Sequence, residues 1–375
     1  MDHSLLNALF NMYNKCGAML DARWVFEKIH LKGVLTYNIL IAAYAQEECN
    51  DSAIEVLEEM QYVNIVPDEG SFVNVLRACH YPELLEKGKV IHTNIVQRGF
   101  DSVLTINTAL IGMYGKCGAL EEAHCVFDGV EEKNLVSWTA IITAYSQQGY
   151  GEEAIQLFKE MHLEGISADT ITLVSILGAY ANLEAAAEHE VIQACYKHKF
   201  ESNIILGNAL ITMYGRCGEV DDARSIFDQM HERNVSSWNA MIFIYGHHGY
   251  CREALELLRR MHKEKTSPNE LTWIYCLSSC GTLGALGQGK KIHSCIIECG
   301  YESNTGVGNA LINMYSKCGA SMEAFAVFND VRQDVVSWNA MLSCFSQLGH
   351  GKRSIELFEK IARRGHEADR RSDLP

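Results

Sequence analysis

Asn7-Ala8-Leu9-Phe10-Asn11-Met12-Tyr13-Asn14-Lys15-Cys16-Gly17 is the stretch that decides the fold, because the chain writes it four times. It returns over residues 108–118, 208–218 and 309–319, at steps of 101, 100 and 101 residues. Spacing that regular marks an internal repeat array. A second phrase recurs between the copies as Tyr37-Asn38, Ser137-Trp138-Thr139-Ala140, Ser237-Trp238-Asn239-Ala240 and Ser337-Trp338-Asn339-Ala340. A third, looser block opens near Glu69, Thr170 and Glu270 and carries Val75-Leu76-Arg77-Ala78-Cys79, Ile176-Leu177-Gly178-Ala179-Tyr180 and Cys276-Leu277-Ser278-Ser279-Cys280.

Each super-period therefore holds three units of about 31, 35 and 35 residues, the length of a helical hairpin. The short units are 3–33, 104–134, 204–234 and 305–334. The standard units are 34–68, 135–169, 235–269 and 335–369, and the long ones 69–103, 170–203 and 270–304. A polar tail, 370–375, is left over.

Each unit reads as two helices. In unit 135–169, Val136, Trp138, Ile141, Ile142 and Tyr145 are expected on one face. Gln148-Gly149 should break that helix. Ala154, Leu157, Phe158 and Met161 form the next apolar stripe, and Gly165 fits a left-handed stop. No period-two alternation is sustained, so an all-α array is expected. A hairpin of this kind buries its stripe only against its neighbours. The first helices should line one concave surface, where any fixed position becomes a row of evenly spaced side chains.

Composition narrows the function. The 375 residues are 48% hydrophobic and 21% charged, which excludes wholesale disorder. No run of eighteen apolar residues occurs. The net charge of -15 argues against generic attraction to polyanions, but leaves room for a local basic track. Fourteen cysteines in a long, helix-patterned chain fit a reducing compartment better than a disulfide scaffold. Met1-Asp2-His3-Ser4 leads straight into an apolar-periodic segment with no leader pattern, and neither end carries a clear capping helix. The chain is therefore expected to be part of a longer product.

The 31/35/35 rotation, the phrases Asn-Ala-Leu-Ile-x-Met-Tyr-x-Lys/Arg-Cys-Gly and Ser-Trp-Asn-Ala-Met, and the Gly-Lys-x-x-His segments at Gly88–His92 and Gly289–His293 resemble the pentatricopeptide repeat family. More narrowly, they resemble its plant subclass of rotating short, standard and long motifs, here without a C-terminal deaminase domain. The resemblance covers residues 3–369. It implies a right-handed α-solenoid superhelix of about eleven helix-turn-helix repeats. It further implies sequence-specific binding of single-stranded RNA, one nucleotide per repeat. In the family, the fifth and last residues of a motif address the base edge, and the second residue packs between neighbouring bases.

Carried onto this chain, the resemblance implies the base-binding pairs Asn38/Asp68, Thr108/Asn134, Thr139/Asp169, Asn208/Asn234, Asn239/Asn269, Asn309/Asp334 and Asn339/Asp369. Asn7/Gly33 is incomplete and is read as silent. A carboxylate accepts a hydrogen bond and suits uracil or guanine, whereas an amide also donates and suits cytosine or adenine. A Thr at the fifth position goes with purines in the family. The expected order from 5′ to 3′ is unknown, U, any, A, G, any, C/U, C/U, any, U, U. The "any" positions belong to the long units, whose fifth residues Val73, Val174 and Ile274 carry no hydrogen-bonding group.

The thirteenth residue of the short units is Lys15, Lys116, Arg216 or Lys317, read as a row of RNA phosphate contacts. The standard units hold Gln46, Gln147, His247 and Gln347 there. A helix C-terminus invites a cation in any case, to complement the dipole. N-capping could likewise account for Asn and Thr at helix starts, but is not expected to account for the Asp and Asn closing the units. Trp138, Trp238 and Trp338 are expected in the core.

No catalytic residues, metal site or cofactor are expected. His162-x-Glu164 and His262-x-Glu264 lie inside repeats with no Pro-Cys-x-x-Cys after them, so a deaminase site is absent from the pattern. Cys276/Cys280 and Cys295/Cys299 with His293 lack zinc-site spacing. The expected role is a non-enzymatic specificity factor for a mitochondrial or chloroplast transcript, in C-to-U editing or other processing, with any deaminase or editing cofactor supplied in trans. The competing reading is a protein-interaction scaffold of the tetratricopeptide type.

Overall fold

The computed structural model describes residues 9–359, apart from 14 and 30 and the side chains of 189 and 190. The described residues are helices joined by short turns. Their contacts divide into two units, residues 1–183 with 189–194, and 184–188 with 195–375.

The first unit runs through Met19–Lys28, Val34–Gln46, Asn50–Tyr62, Glu69–Ala78, Leu85–Gln97, Leu104–Lys116, Leu120–Asp128, Leu135–Gln147, Gly151–Leu163 and Thr170–Asn182. The helices of one hairpin pack together, and each first helix packs on the next first helix, as Leu104–Lys116 does on Leu135–Gln147. The second unit repeats the pattern through Ile204–Arg216, Val220–Gln229, Val235–His247, Cys251–Lys263, Glu270–Leu283, Leu286–Glu298, Thr305–Lys317, Ser321–Asp330 and Val335–Gln347. The first helices begin at the residue that opens each sequence unit, from Val34 and Glu69 to Val335. This is an all-α solenoid of helical hairpins. No helix among the described residues is long and apolar enough to cross a membrane.

The recurring phrases are packing devices. Trp138 lies edge-on to Phe127, with ring centroids 4.7 Å apart. Phe227 meets Trp238 at 4.9 Å and Phe328 meets Trp338 at 4.8 Å, while Tyr37 takes the same place against Phe26 at 5.0 Å. The Phe closing a short unit thus docks on the aromatic opening the next, an edge-to-face pair worth about 0.5–1.5 kcal/mol beyond its burial. All three tryptophans belong to the core.

The Gly-Lys-x-x-His segments pack equally specifically. A Cβ on Gly88 would come within 2.7 Å of Met113 Sδ, and one on Gly289 would collide with Met314. One turn on, His92 Nδ1 and His293 Nδ1 lie 2.9 Å from the hydroxyls of Tyr114 and Tyr315. Burial pushes the Tyr114 hydroxyl up to about 12 and His92 down, so both partners are neutral near pH 7. Glu188 stands at the corresponding place in unit 170–203, and the second helix there runs only over His189–Lys197.

In unit 135–169, Trp138, Ile141 and Ile142 are buried as expected, the helix stops at Gln147, and Gly149 and Gly165 adopt φ of +85° and +76°. Val136 does not join them: it is 57% exposed. Two residues correspond to about 200° of helix, so Val136 faces away from the stripe that Trp138 belongs to.

Candidate functional site

The closing residue of a unit is the N-cap of the next unit's first helix. Asp68, Asn134, Asp169, Asn234, Asn269 and Asp334 have extended backbones, and each accepts from the backbone N–H three residues on. That N–H belongs to Ser71, Ser137, Thr172, Ser237, Thr272 or Ser337, all fully buried. Capping therefore accounts for the closing Asp and Asn, contrary to the sequence expectation. The fifth residues lie a full turn inside their helices and are not caps.

Capping leaves the rest of the closing side chain uncommitted. Asp68 uses Oδ1 alone, which accepts from Ser71 N at 2.9 Å, Ser71 Oγ at 3.0 Å and Asn38 Nδ2 at 2.9 Å. Burial opposes ionisation of Asp68, but the bonds from Asn38 and Ser71 prevail and hold its carboxyl below the ordinary range. Asp169 likewise uses Oδ1, taking Thr172 N and Oγ1 at 2.8 Å each. In both, Oδ2 remains an acceptor. Asn269 Oδ1 accepts from Thr272 N at 3.2 Å, from Thr272 Oγ1 at 3.0 Å and from Asn239 Nδ2 at 2.9 Å. Since the amide oxygen must face those donors, Nδ2 turns outward as a donor. The caps thus leave Asp an acceptor and Asn a donor.

The fifth residues buttress the caps. Asn38 Oδ1 lies 2.6 Å from Ser71 Oγ and Asn239 Oδ1 2.6 Å from Thr272 Oγ1, so the single proton of each hydroxyl is shared between the fifth residue and the cap. Asn309 Nδ2 donates to Asp334 Oδ2 at 3.3 Å. Thr139 reaches Asp169 through the Thr172 hydroxyl, 2.7 Å away. Four of the expected pairs are thus joined directly or through one hydroxyl. Thr108 instead donates to the carbonyl of Leu104 at 2.9 Å, and Asn134 serves Val136 N and Ser137 N. Asn208 Oδ1 is buried without a partner, and Asn234 caps Ser237. Asn339 is exposed, while Asp369 and Asn7 lie outside the described residues. Asn239 and Asn309 are only 6% and 9% exposed, so there the closing residue offers the more accessible atom.

Val73, Val174 and Ile274 are half-buried at the fifth positions of the long units. Sequence reading named no residues for the second position. In the structure that position carries an exposed apolar side chain in six units, Leu35, Val136, Ile171, Ile205, Leu271 and Val336, and Gly70, Thr105, Ser236 or Gly306 in four others. The signal in the sequence was an apolar residue about 200° off the core stripe in those six units.

Lys15, Lys116, Arg216 and Lys317 are exposed, the last three as final residues of their helices. Among the described residues, Lys15, Lys116 and Lys317 make no ion pair. The second helices differ: Lys87 pairs with Asp51 at 2.6 Å, Lys89 with Glu122 at 3.1 Å, Arg260 with Asp228 at 2.7 Å and Lys290 with Glu323 at 2.8 Å. These four cations are neutralised between successive hairpins, while the lysines at the first-helix ends make no such pair among the described residues.

Comparison with known proteins identifies the repeats. The PPR repeat family profile matches residues 32–80, 133–182 and 233–282, and the PPR repeat profile matches 4–34, 108–135, 208–235, 309–334 and 336–366. A chloroplastic pentatricopeptide repeat-containing protein of Arabidopsis thaliana is 34% identical over 96% of this chain and 45% of its own length. A second chloroplastic one is 33% identical over 97% of this chain and 59% of its own length, and a mitochondrial one 32% identical over 97% and 36%. The chain thus spans between 36% and 59% of the length of these relatives. The pentatricopeptide repeat protein PPR10, solved in complex with an 18-nt psaJ RNA element, superposes with a TM-score of 0.78 at 16% identity, over 96% of this chain and 55% of that one. The same protein from maize superposes with a TM-score of 0.54 at 18% identity, over 95% of this chain and 63% of that one.

Proposed function

The chain belongs to the pentatricopeptide repeat family, and from that premise we propose that it binds single-stranded RNA sequence-specifically, one nucleotide per hairpin. One observation carries the reading. The capping geometry fixes the outward atom of each closing residue, an acceptor on Asp68 and Asp169 and a donor on Asn269. A base with a ring N–H, uracil or guanine, complements the acceptor. Cytosine or adenine complements the donor. The exposed second-position row supplies apolar contacts between bases, and the first-helix cations supply phosphate contacts.

The order read along the chain is unknown, U, any, A, G, any, C/U, C/U, any, U, U. In the cell, the chain would serve as a specificity factor of the plant short–standard–long subclass, in a mitochondrion or chloroplast. Its role would be C-to-U editing or another processing step on one transcript, with the chemistry supplied in trans. Relatives carrying organellar names support the location.

The test is binding of a fluorescent 11-mer of that order, 5′-AUAAGACCAUU, against its scrambled version. Tighter binding of the ordered RNA, by tenfold or more, is expected. Equal affinity would remove specificity, and no affinity for either would favour a protein-binding scaffold.

A further inference from the structure

One place on the first-helix face departs from its siblings. Phe243 and Tyr275, from successive first helices of the second unit, have ring centroids 5.1 Å apart, and His247 stacks on Phe243 at 5.7 Å with planes 19° apart. Phe243 is 46% exposed. Asn239, Phe243 and His247 follow at i, i+4 and i+8, so the rings continue the face that presents Asn239.

Packing between hairpins does not require these rings. One super-period earlier the same two positions are Thr143 and Ser175, whose hydroxyls meet at 2.8 Å. One period before that they are Ala42 and Asn74. At the level of His247, those repeats hold Gln147 and Gln46. The aromatic set thus exposes apolar surface that its siblings do without.

Its position identifies the occupant. Glu270–Leu283 carries Tyr275 and belongs to a long repeat whose fifth residue, Ile274, cannot read a base edge. On the far side of this helix a groove of about 450 Å³ is lined by Ile274, Ser278, Asn309, Asn313 and Lys317. The rings therefore sit on the two first helices between the Asn239/Asn269 pair and the Asn309/Asp334 pair, Tyr275 and Phe243 about one to two turns into their helices and His247 at the last turn.

We propose that Phe243, Tyr275 and His247 form a stacking platform for one unpaired base, so that repeat 270–304 holds its nucleotide by stacking and tolerates any base. This rests on the RNA reading above. Stacking suits a position without edge readout, because every base has a π-face.

The test uses the full chain and 5′-AUAAGACCAUU, in which nucleotide 9 faces repeat 270–304 and nucleotide 6 faces the ring-free repeat 170–203. Removing base 9 should weaken wild-type binding by about five- to 150-fold, the range for one base–aromatic stack. Exchanging base 9 among A, C, G and U should change affinity by less than about threefold. The fluorescence of 2-aminopurine should be quenched on binding at position 9 and not at position 6. Phe243→Thr with Tyr275→Ser installs the sibling pair. It should bind intact and abasic RNA equally, with the preference for G at nucleotide 5 retained. If wild type binds intact and abasic-9 RNA equally while still preferring G at nucleotide 5, the platform is overturned and the RNA reading survives. Absence of RNA binding by wild type overturns both.

Discussion

Asp169→Asn separates capping from base recognition in a single atom. In the wild type, Oδ1 accepts from Thr172 N and Thr172 Oγ1, both at 2.8 Å, and Oδ2 has no part in the cap. Asparagine retains Oδ1, and Asn and Asp are comparable N-caps, so stability should change by no more than a few tenths of a kcal/mol. The outward atom changes from acceptor to donor. Guanine loses a charge-assisted bond from its ring N–H, worth about 1.5–3 kcal/mol, while adenine gains a donor for its ring nitrogen. A shift of at least about 1.4 kcal/mol is tenfold. The assay is fluorescence anisotropy with four 11-mers differing only at nucleotide 5, beside a thermal melt of each protein. The account expects the G-to-A affinity ratio to fall at least tenfold with an unchanged melt. An unchanged ratio, with the variant folded, would refute the assignment of Asp169 to a base.

Lys116→Ala should weaken all RNA sequences alike and lower the salt slope of binding by about 0.7, read from affinities across a salt series. The Asp68 carboxyl is held below its ordinary value by Asn38 and Ser71. Its contribution to stability is therefore complete above the unfolded value, about 3.9, and is lost as pH falls through the lower folded value. Asp68→Asn should accordingly flatten the acid limb of a stability–pH profile and lower stability at pH 7 toward the acid value, as urea melts would check. Phe227→Ala and Trp238→Ala should each cost about 3–5 kcal/mol. Their double-mutant cycle should return a coupling of about 0.5–1.5 kcal/mol, and additive losses would show that the edge-to-face contact contributes nothing.

Periodicity made the array legible. The returning phrases marked where each hairpin begins, because the same buried stripe must face the same neighbour every time. Trp138, Trp238 and Trp338 were legible as core for that reason. Which residue caps a helix was not, because it depends on where the first turn starts relative to the phrase, a matter of one or two residues. The closing Asp and Asn consequently looked unlike caps until the buried Ser and Thr three residues on were seen to complete them. Val136 was misassigned because an apolar residue near a stripe is easily counted into it, although about 200° separates it from Trp138. The rings at Phe243, His247 and Tyr275 carry no period at all. They break the repeat at positions where the corresponding hairpins hold no aromatic ring, and only their juxtaposition across two helices reveals them.

The central claim is that nucleotides register with hairpins one to one. The most direct measurement is an affinity scan in which each nucleotide of the 11-mer is exchanged in turn for the other three. The account predicts losses at nucleotides 2, 4, 5, 7, 8, 10 and 11, with tolerance at 3, 6 and 9 and of a C-to-U exchange at 7 and 8. A flat profile, or losses out of step with the hairpins, would contradict it.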